Sequence, residues 1–205
     1  VAPSFNQLYF PNFGNPLLQP EEGRHAELAL RRSTAAQSLR IAAFAHRIRG
    51  YITPGANPGN VDAAIDGIAA SWDARFGSWD LAASLERLDP TQASETINGR
   101  PNANFGKQLA RRTKQAARLS ADTRVGPLRV GGTLVASGAR FENAANTVRL
   151  GGFATVDLRL AWPLDNGLEI AGTLNNALDK RYETTQGYNP AGRQGFVTLR
   201  WTPRS

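Results

Sequence analysis

The chain has 205 residues, no cysteine and a formal charge of +7, which excludes a disulfide framework and a thiolate metal site. Gly, Pro or a charge interrupts every apolar run well before the ~20 residues that a membrane helix needs, so a chain of this kind crosses a bilayer as strands or not at all. The positive balance is nearly all arginine and would usually raise nucleic acid as a partner, but the arginines are spread over all the segments rather than clustered, so no nucleic-acid partner is expected. The chain begins at Val1 without a charged or apolar leader, and any export signal is expected to lie outside it.

Val1 to Glu22 carries four prolines and no sustained period, and reads as a loop or a succession of turns. From Arg24 onward apolar residues hold one parity and charged or small residues the other, as a strand with two unlike faces requires. Nine such segments are predicted, at 24–32, 38–52, 61–76, 79–89, 112–124, 128–141, 150–162, 168–182 and 193–202. Their connections alternate in length. Short ones fall at Ser33 to Gln37, Gly77-Ser78, Val125 to Pro127 and Pro163 to Gly167, and long ones at Thr53 to Asn60, Pro90 to Lys107, Glu142 to Arg149 and Glu183 to Gly192. Short turns at one end and long loops at the other are the habit of outer-membrane barrels.

Alternation alone does not separate a membrane barrel from a soluble two-sheet sandwich, since both have one apolar and one polar face. Purity of the faces and the placing of aromatics decide. Val156, Leu158, Leu160 and Trp162 stand opposite Thr155, Asp157, Arg159 and Ala161, and Leu168, Ile170 and Leu174 opposite Glu169, Ala171 and Thr173. An arginine on a lipid face at mid-depth costs about 2–4 kcal/mol, so a barrel needs this segregation. Phe76, Trp79, Trp162 and Trp201 sit on the apolar parity beside short turns or the C-terminus, where an interfacial girdle belongs. The expected fold is all-β: an antiparallel up-and-down transmembrane β-barrel, here incomplete, with about nine strands in an open, curved, strongly twisted sheet. Its two unpaired edges would favour aggregation of the chain on its own.

Catalytic constellations are missing. His25 and His46 do not lie at metal-ligand spacing, and without cysteine a zinc site would need carboxylates from several strands, so no metal or cofactor is expected. His46 falls on the charged parity, but nothing picks out a serine to partner it, and no enzyme activity is expected. The densest positive run, Arg111-Arg112-Thr113-Lys114-Gln115, could meet phosphate or lipopolysaccharide, or simply form barrel wall. Ligand specificity would reside in the long loops. There Tyr51, Tyr182, Tyr188 and Asn189 are the candidates, since tyrosine offers a flat apolar face with a hydroxyl; for Tyr51 and Tyr182 a place in the outer aromatic girdle is the favoured reading.

Several of these stretches resemble one family. Asn175-Asn176-Ala177-Leu178-Asp179-Lys180-Arg181-Tyr182 is similar to the N-x-x-D-x-x-Y segment near the C-terminus of TonB-dependent outer-membrane receptors. Ala2-Pro3-Ser4 and Asn15-Pro16-Leu17-Leu18-Gln19-Pro20-Glu21 resemble motifs of the same family in the same order. The Arg111 to Gln115 run, Gly187-Tyr188 and Ala191-Gly192-Arg193 look most like its cobalamin receptors. The resemblance implies that residues 1–205 are the C-terminal part of a receptor with a plug domain and a barrel of about twenty-two strands. It implies uptake of a bulky ligand, cobalamin or alternatively a ferric siderophore, with TonB acting through the plug, which has no counterpart here. Outer-membrane lipid and lipopolysaccharide would surround it, with the C-terminus on the periplasmic side. Trp201 is followed by Thr202-Pro203-Arg204-Ser205, a departure from the family's usual terminal phenylalanine. A small porin or outer-membrane enzyme, or a soluble two-sheet binding module, are the other readings.

Overall fold

A computed structural model describes residues 1–203. After one short helix, α1 (Phe5–Tyr9), come β1 (Glu22–Ser33), β2 (Gln37–Ile52), β3 (Asn60–Phe76) and β4 (Trp79–Gln92). There follow the two-residue strands β5 (Thr96–Ile97) and β6 (Arg100–Pro101), then β7 (Gln115–Val125) and β8 (Leu128–Ser137). A second pair of short strands, β9 (Arg140–Phe141) and β10 (Arg149–Leu150), precedes β11 (Phe153–Pro163), β12 (Leu168–Asn175) and β13 (Gln194–Trp201). The nine long strands make one antiparallel sheet in the order β1-β2-β3-β4-β7-β8-β11-β12-β13, each beside its chain neighbour. The short strands pair as separate ladders within the long loops.

The register fixes the faces, because residues opposite one another in an antiparallel pair share a side. Leu39, Trp72 and Ala83 are linked in one row, and Leu134, Val156 and the Leu158–Leu174 pair lie on the same side. The other side carries Asp73, Asp80, Asp122, Arg159, Glu169 and Arg200. Small residues of the polar side are screened by their neighbours, as at Ala42 (1 % exposed), while apolar residues of the opposite side stay open, as at Leu28 (81 %) and Val197 (83 %). That asymmetry belongs to a sheet curved with its polar face inward. Phe76 pairs with Trp79, Trp162 with Ile170 and Trp201 with Leu168, so all four turn-proximal aromatics lie on the convex apolar side.

Tight turns at the near end follow from their residues. Gly77 and Gly126 take positive φ of 58°, and Asn166-Gly167 takes 59° and 75°, the left-handed conformations that glycine and asparagine tolerate. Thr34 closes the first turn by accepting from the Ala36 and Gln37 amides through Oγ1.

Three expectations need correction. Val1 to Glu22 is not all loop: Ser4 accepts from the Gln7 amide while the Gln7 side chain accepts from the Ser4 amide, a capping box that nucleates α1. The segment predicted at 168–182 stops at Asn175, because Asn176 takes φ +49° and starts a turn. The segment at 128–141 breaks after Ser137, where the Gly138 amide donates to the Gln115 carbonyl and the chain leaves the main sheet.

Inside the curve, packing relies on a missing side chain. Phe44 lies across Gly67 of the neighbouring strand, and a Cβ there would stand 2.6 Å from Phe44 Cζ and 2.7 Å from Leu88 Cδ2. Gly67→Ala is therefore expected to destabilise the folded protein by about 1–3 kcal/mol through overpacking, and Phe44→Leu in the same chain should recover most of the loss in a denaturant titration. Leu158→Arg, on the convex side, should cost about 2–4 kcal/mol when the protein is folded into lipid vesicles. Thr173→Arg on the concave side should cost well under half of that; equal costs would contradict the assignment of the faces.

Candidate functional site

Two polar regions lie inside the curve, one near the tight turns and one under the long loops. Near the turns a charged row crosses the sheet. Arg75 pairs with Asp80 at 2.7 Å, Arg159 donates to both carboxylate oxygens of Asp122 at 2.9 Å, and Glu169 accepts from Arg129 and, at 3.1 Å, from Arg200. Arg159 also donates to Thr133 Oγ1 at 2.6 Å, which in turn meets Ser120 Oγ at 3.0 Å. Asp122 leans over Gly131, where a Cβ would collide with its carboxylate, so this glycine is what lets the Arg159 pair form. The row lines an open recess of about 690 Å³. Such pairs satisfy one another's charge inside a wall and leave guanidinium and carboxylate edges for a polar neighbour.

Under the long loops the receptor-like motif has a structural job. Asn176 accepts from the Lys180 amide at 2.8 Å and donates to the Lys180 carbonyl at 2.9 Å, closing a five-residue turn. Its own amide donates to Asp157 Oδ1 of β11. Asp179 takes φ +53° and accepts from the Arg193 amide at 2.9 Å, which ties the two stems of the last long loop together. Tyr182 then stacks on Phe153 with ring centres 3.8 Å apart and 20° between planes, and Arg140 covers Phe153 at 5.7 Å.

Glu142 joins three loops. One carboxylate oxygen accepts from Arg111, and the other accepts from the Gln186 amide at 3.1 Å. Beside it, Asn146 and Gln108 exchange two hydrogen bonds of 2.9 Å. The positive run at 111–115 is thereby divided: Arg111, at φ +60°, fastens the loops, while Lys114 pairs with Asp89 at 2.6 Å.

The four residues singled out from sequence occupy different levels. Tyr188 is 74 % exposed, with Asn189 beside it, on the last long loop. Tyr182 is half-buried in its stack at the base of that loop. Tyr51 is only 8 % exposed, in a cluster with Val61, Ala63 and Leu109 over Ile48 and Ile65. Strict alternation would have turned Tyr51 to the convex side; a register shift between Ile48 and Tyr51, at Gly50 with φ +68°, turns it inward, so it is not an outer girdle residue.

Sequence reasoning missed an aromatic group at the same end. Phe5 and Tyr9 of α1 have ring centres 5.2 Å apart and Phe10 and Phe13 6.0 Å apart, all largely exposed. The segment is held in place by Asn15 donating to the Pro58 carbonyl, by Asn60 bonded to both Gln19 backbone groups, and by Glu21 accepting from the Ile52 amide. The aromatic spacing of α1 was visible, but its short helix was hidden among prolines. Among the described residues, no group of three or more His, Cys, Asp or Glu side chains is placed to hold a metal.

Comparison with known proteins agrees with this architecture. The family model described as "TonB dependent receptor-like, beta-barrel" matches residues 1–177. The vitamin B12 transporter BtuB of Photobacterium profundum is 27% identical over 208 residues, covering 96% of this chain and 33% of that protein. In structure, the siderophore receptor PiuA from Acinetobacter baumannii aligns with a TM-score of 0.76 at 21% identity, over 91% of this chain and 29% of the receptor. BauA, the ferric preacinetobactin receptor from the same species, aligns with a TM-score of 0.72 at 22% identity, over 88% and 29%. The chain thus spans about a third of the length of these relatives. A nine-stranded antiparallel wall, polar within and apolar without, tied together at its long loops and matched by the family model over most of its length, belongs to the TonB-dependent receptor β-barrels of the outer membrane.

Proposed function

We propose that this chain is the C-terminal wall of an active transporter that takes up cobalamin, coupled to TonB through a plug region outside residues 1–205. The observation that carries the ligand is the likeness to a vitamin B12 transporter across nearly the whole chain. Likeness to the siderophore receptors is one of fold at lower identity, so a ferric siderophore is the second reading. In this proposal the tight turns and the C-terminus face the periplasm, and the charged row from Arg75 to Arg200 faces the plug. Tyr188 and Asn189 meet the ligand directly, while Tyr182 and Tyr51 form the apolar floor beneath them. The exposed rings of Phe5, Tyr9, Phe10 and Phe13 add flat surface suited to a bulky macrocycle.

Lipid contacts follow from the convex side. Above the apolar band, Arg24 and Arg47 share a row and Asp66 and Asp89 the next. Arg47 is bound to Asp66 and Lys114 to Asp89, whereas Arg24 and Arg87 have no carboxylate partner among the described residues. We assign these two arginines to the phosphates of lipopolysaccharide.

The intact receptor in detergent should bind cyanocobalamin, and Tyr188→Ala should weaken that binding by about tenfold or more. Binding of a ferric siderophore with no affinity for cyanocobalamin would move the assignment to the second reading. The Arg24→Glu/Arg87→Glu double variant should co-purify with less lipopolysaccharide than the parent, by phosphate assay, with ligand affinity unchanged.

A further inference from the structure

His25 and His46, the only histidines in the chain, face each other directly across β1 and β2. Their ring centres are 4.1 Å apart, with 58° between planes. Both project from the concave side, in the row next to Glu27 and Phe44. Phe44 sets its ring nearly perpendicular to His46, at 5.5 Å and 83°, and lies 6.4 Å from His25. The Glu27 carboxylate approaches His25 Nε2 at 4.0 Å while its other oxygen accepts from Arg40. Far apart in sequence, these imidazoles defeat a search by ligand spacing; the antiparallel register alone brings them together.

From this geometry we propose that His25 and His46 form a binding site for a divalent transition-metal ion on the inner wall. Two rings that share one ion at ~2.0–2.1 Å from each nitrogen, at right angles about it, have centres about 4.5 Å apart. The observed pair needs to open by only a few tenths of an ångström. Neutral imidazole suits copper, nickel and zinc, and copper(II) binds tightest in the usual order for nitrogen donors. Water fills the remaining positions, since the protein supplies two donors. Glu27, 4.0 Å from His25 Nε2, adds a negative charge beside the pair without a hydrogen bond to it, and Phe44 restricts the His46 ring by packing against its flank. The strands hold both donors rigidly, which reduces the entropy lost on binding. The site depends on the β1–β2 pairing alone, so it is independent of which organic ligand the receptor carries.

The test uses the intact receptor in detergent, titrated with aqueous copper(II) and followed by electron paramagnetic resonance and metal analysis. The expected result is copper whose hyperfine pattern shows two imidazole nitrogens and which is lost in His25→Ala and in His46→Ala. Glu27→Gln should retain that pattern with affinity lowered a fewfold by the loss of one nearby negative charge. Cyanocobalamin binding measured on the same samples reports whether each variant is folded and keeps the copper result separate from the ligand assignment; if no cyanocobalamin binds to any of them, heat-modifiable gel mobility reports folding instead. Copper uptake unchanged in folded His25→Ala/His46→Ala, or a parent receptor without an imidazole-nitrogen signature, overturns the proposal and leaves the pair as an aromatic packing contact with Phe44.

Discussion

In hydrocarbon there is no water to take up a free N–H or C=O, and each group left unpaired costs several kcal/mol. That constraint governs the whole sheet. Every long strand is hydrogen-bonded to its chain neighbour along most of its length, without a crossover, so the ladder is complete except at the outer sides of β1 and β13. Both of these strands are exposed along their entire length. The interior strands are thus paired on both sides and the two margins are bare, in a chain that spans about a third of the length of its relatives.

Saturating the backbone leaves side-chain placement as the remaining variable, and here the curved sheet imposes a second condition. On the convex side bulky residues have room, so leucine, tryptophan and phenylalanine are accommodated without close contacts. On the concave side the rows converge, and small residues or glycine appear wherever a large group must lie flat. Gly67 under Phe44 and Gly131 under Asp122 are two instances of one solution, the first for an aromatic ring and the second for an ion pair. The ion pairs of the inner wall follow the same logic: a guanidinium on one strand is answered by a carboxylate on another, as in Arg75 with Asp80, Arg159 with Asp122 and Arg129 with Glu169. Arg159, bound by Asp122 and Thr133 together, is the most fully satisfied of them.

The same physics explains what the sequence made legible. Period-two alternation located all nine long strands because each has one apolar convex side and one polar inward side, and the pattern is strongest where that contrast is strongest. It failed where the pattern is broken on purpose. The bulge at Gly50 reverses parity for the residues beyond it, so Tyr51 points inward although its number places it outward. Asn176 ends β12 with a positive φ, yet alternation continues by chance through Tyr182. The motif from Asn176 to Tyr182 could be recognised by resemblance, but its work could not: asparagine closes the turn, aspartate clasps the opposite stem and tyrosine stacks on Phe153. Contacts between residues distant in sequence, such as His25 with His46 or Glu142 with Gln186, have no local signal whatever, since register and loop path alone create them.

The long loops answer to constraints as firm as those on the wall, because long connections keep one path only when side chains fasten them to one another. Glu142 sits where three of them meet, with Arg111 on one side and the Gln186 amide on the other. Arg111 has a positive φ and its amide donates to the Phe141 carbonyl, so backbone and side chain hold the same junction. The stack of Arg140, Phe153 and Tyr182 anchors the last loop a short distance away. Only beyond these fastenings do Tyr188 and Asn189 emerge into solvent. The division is a mechanical one: residues at the base are committed to one another, so those at the tip can vary while the wall beneath them stays unchanged.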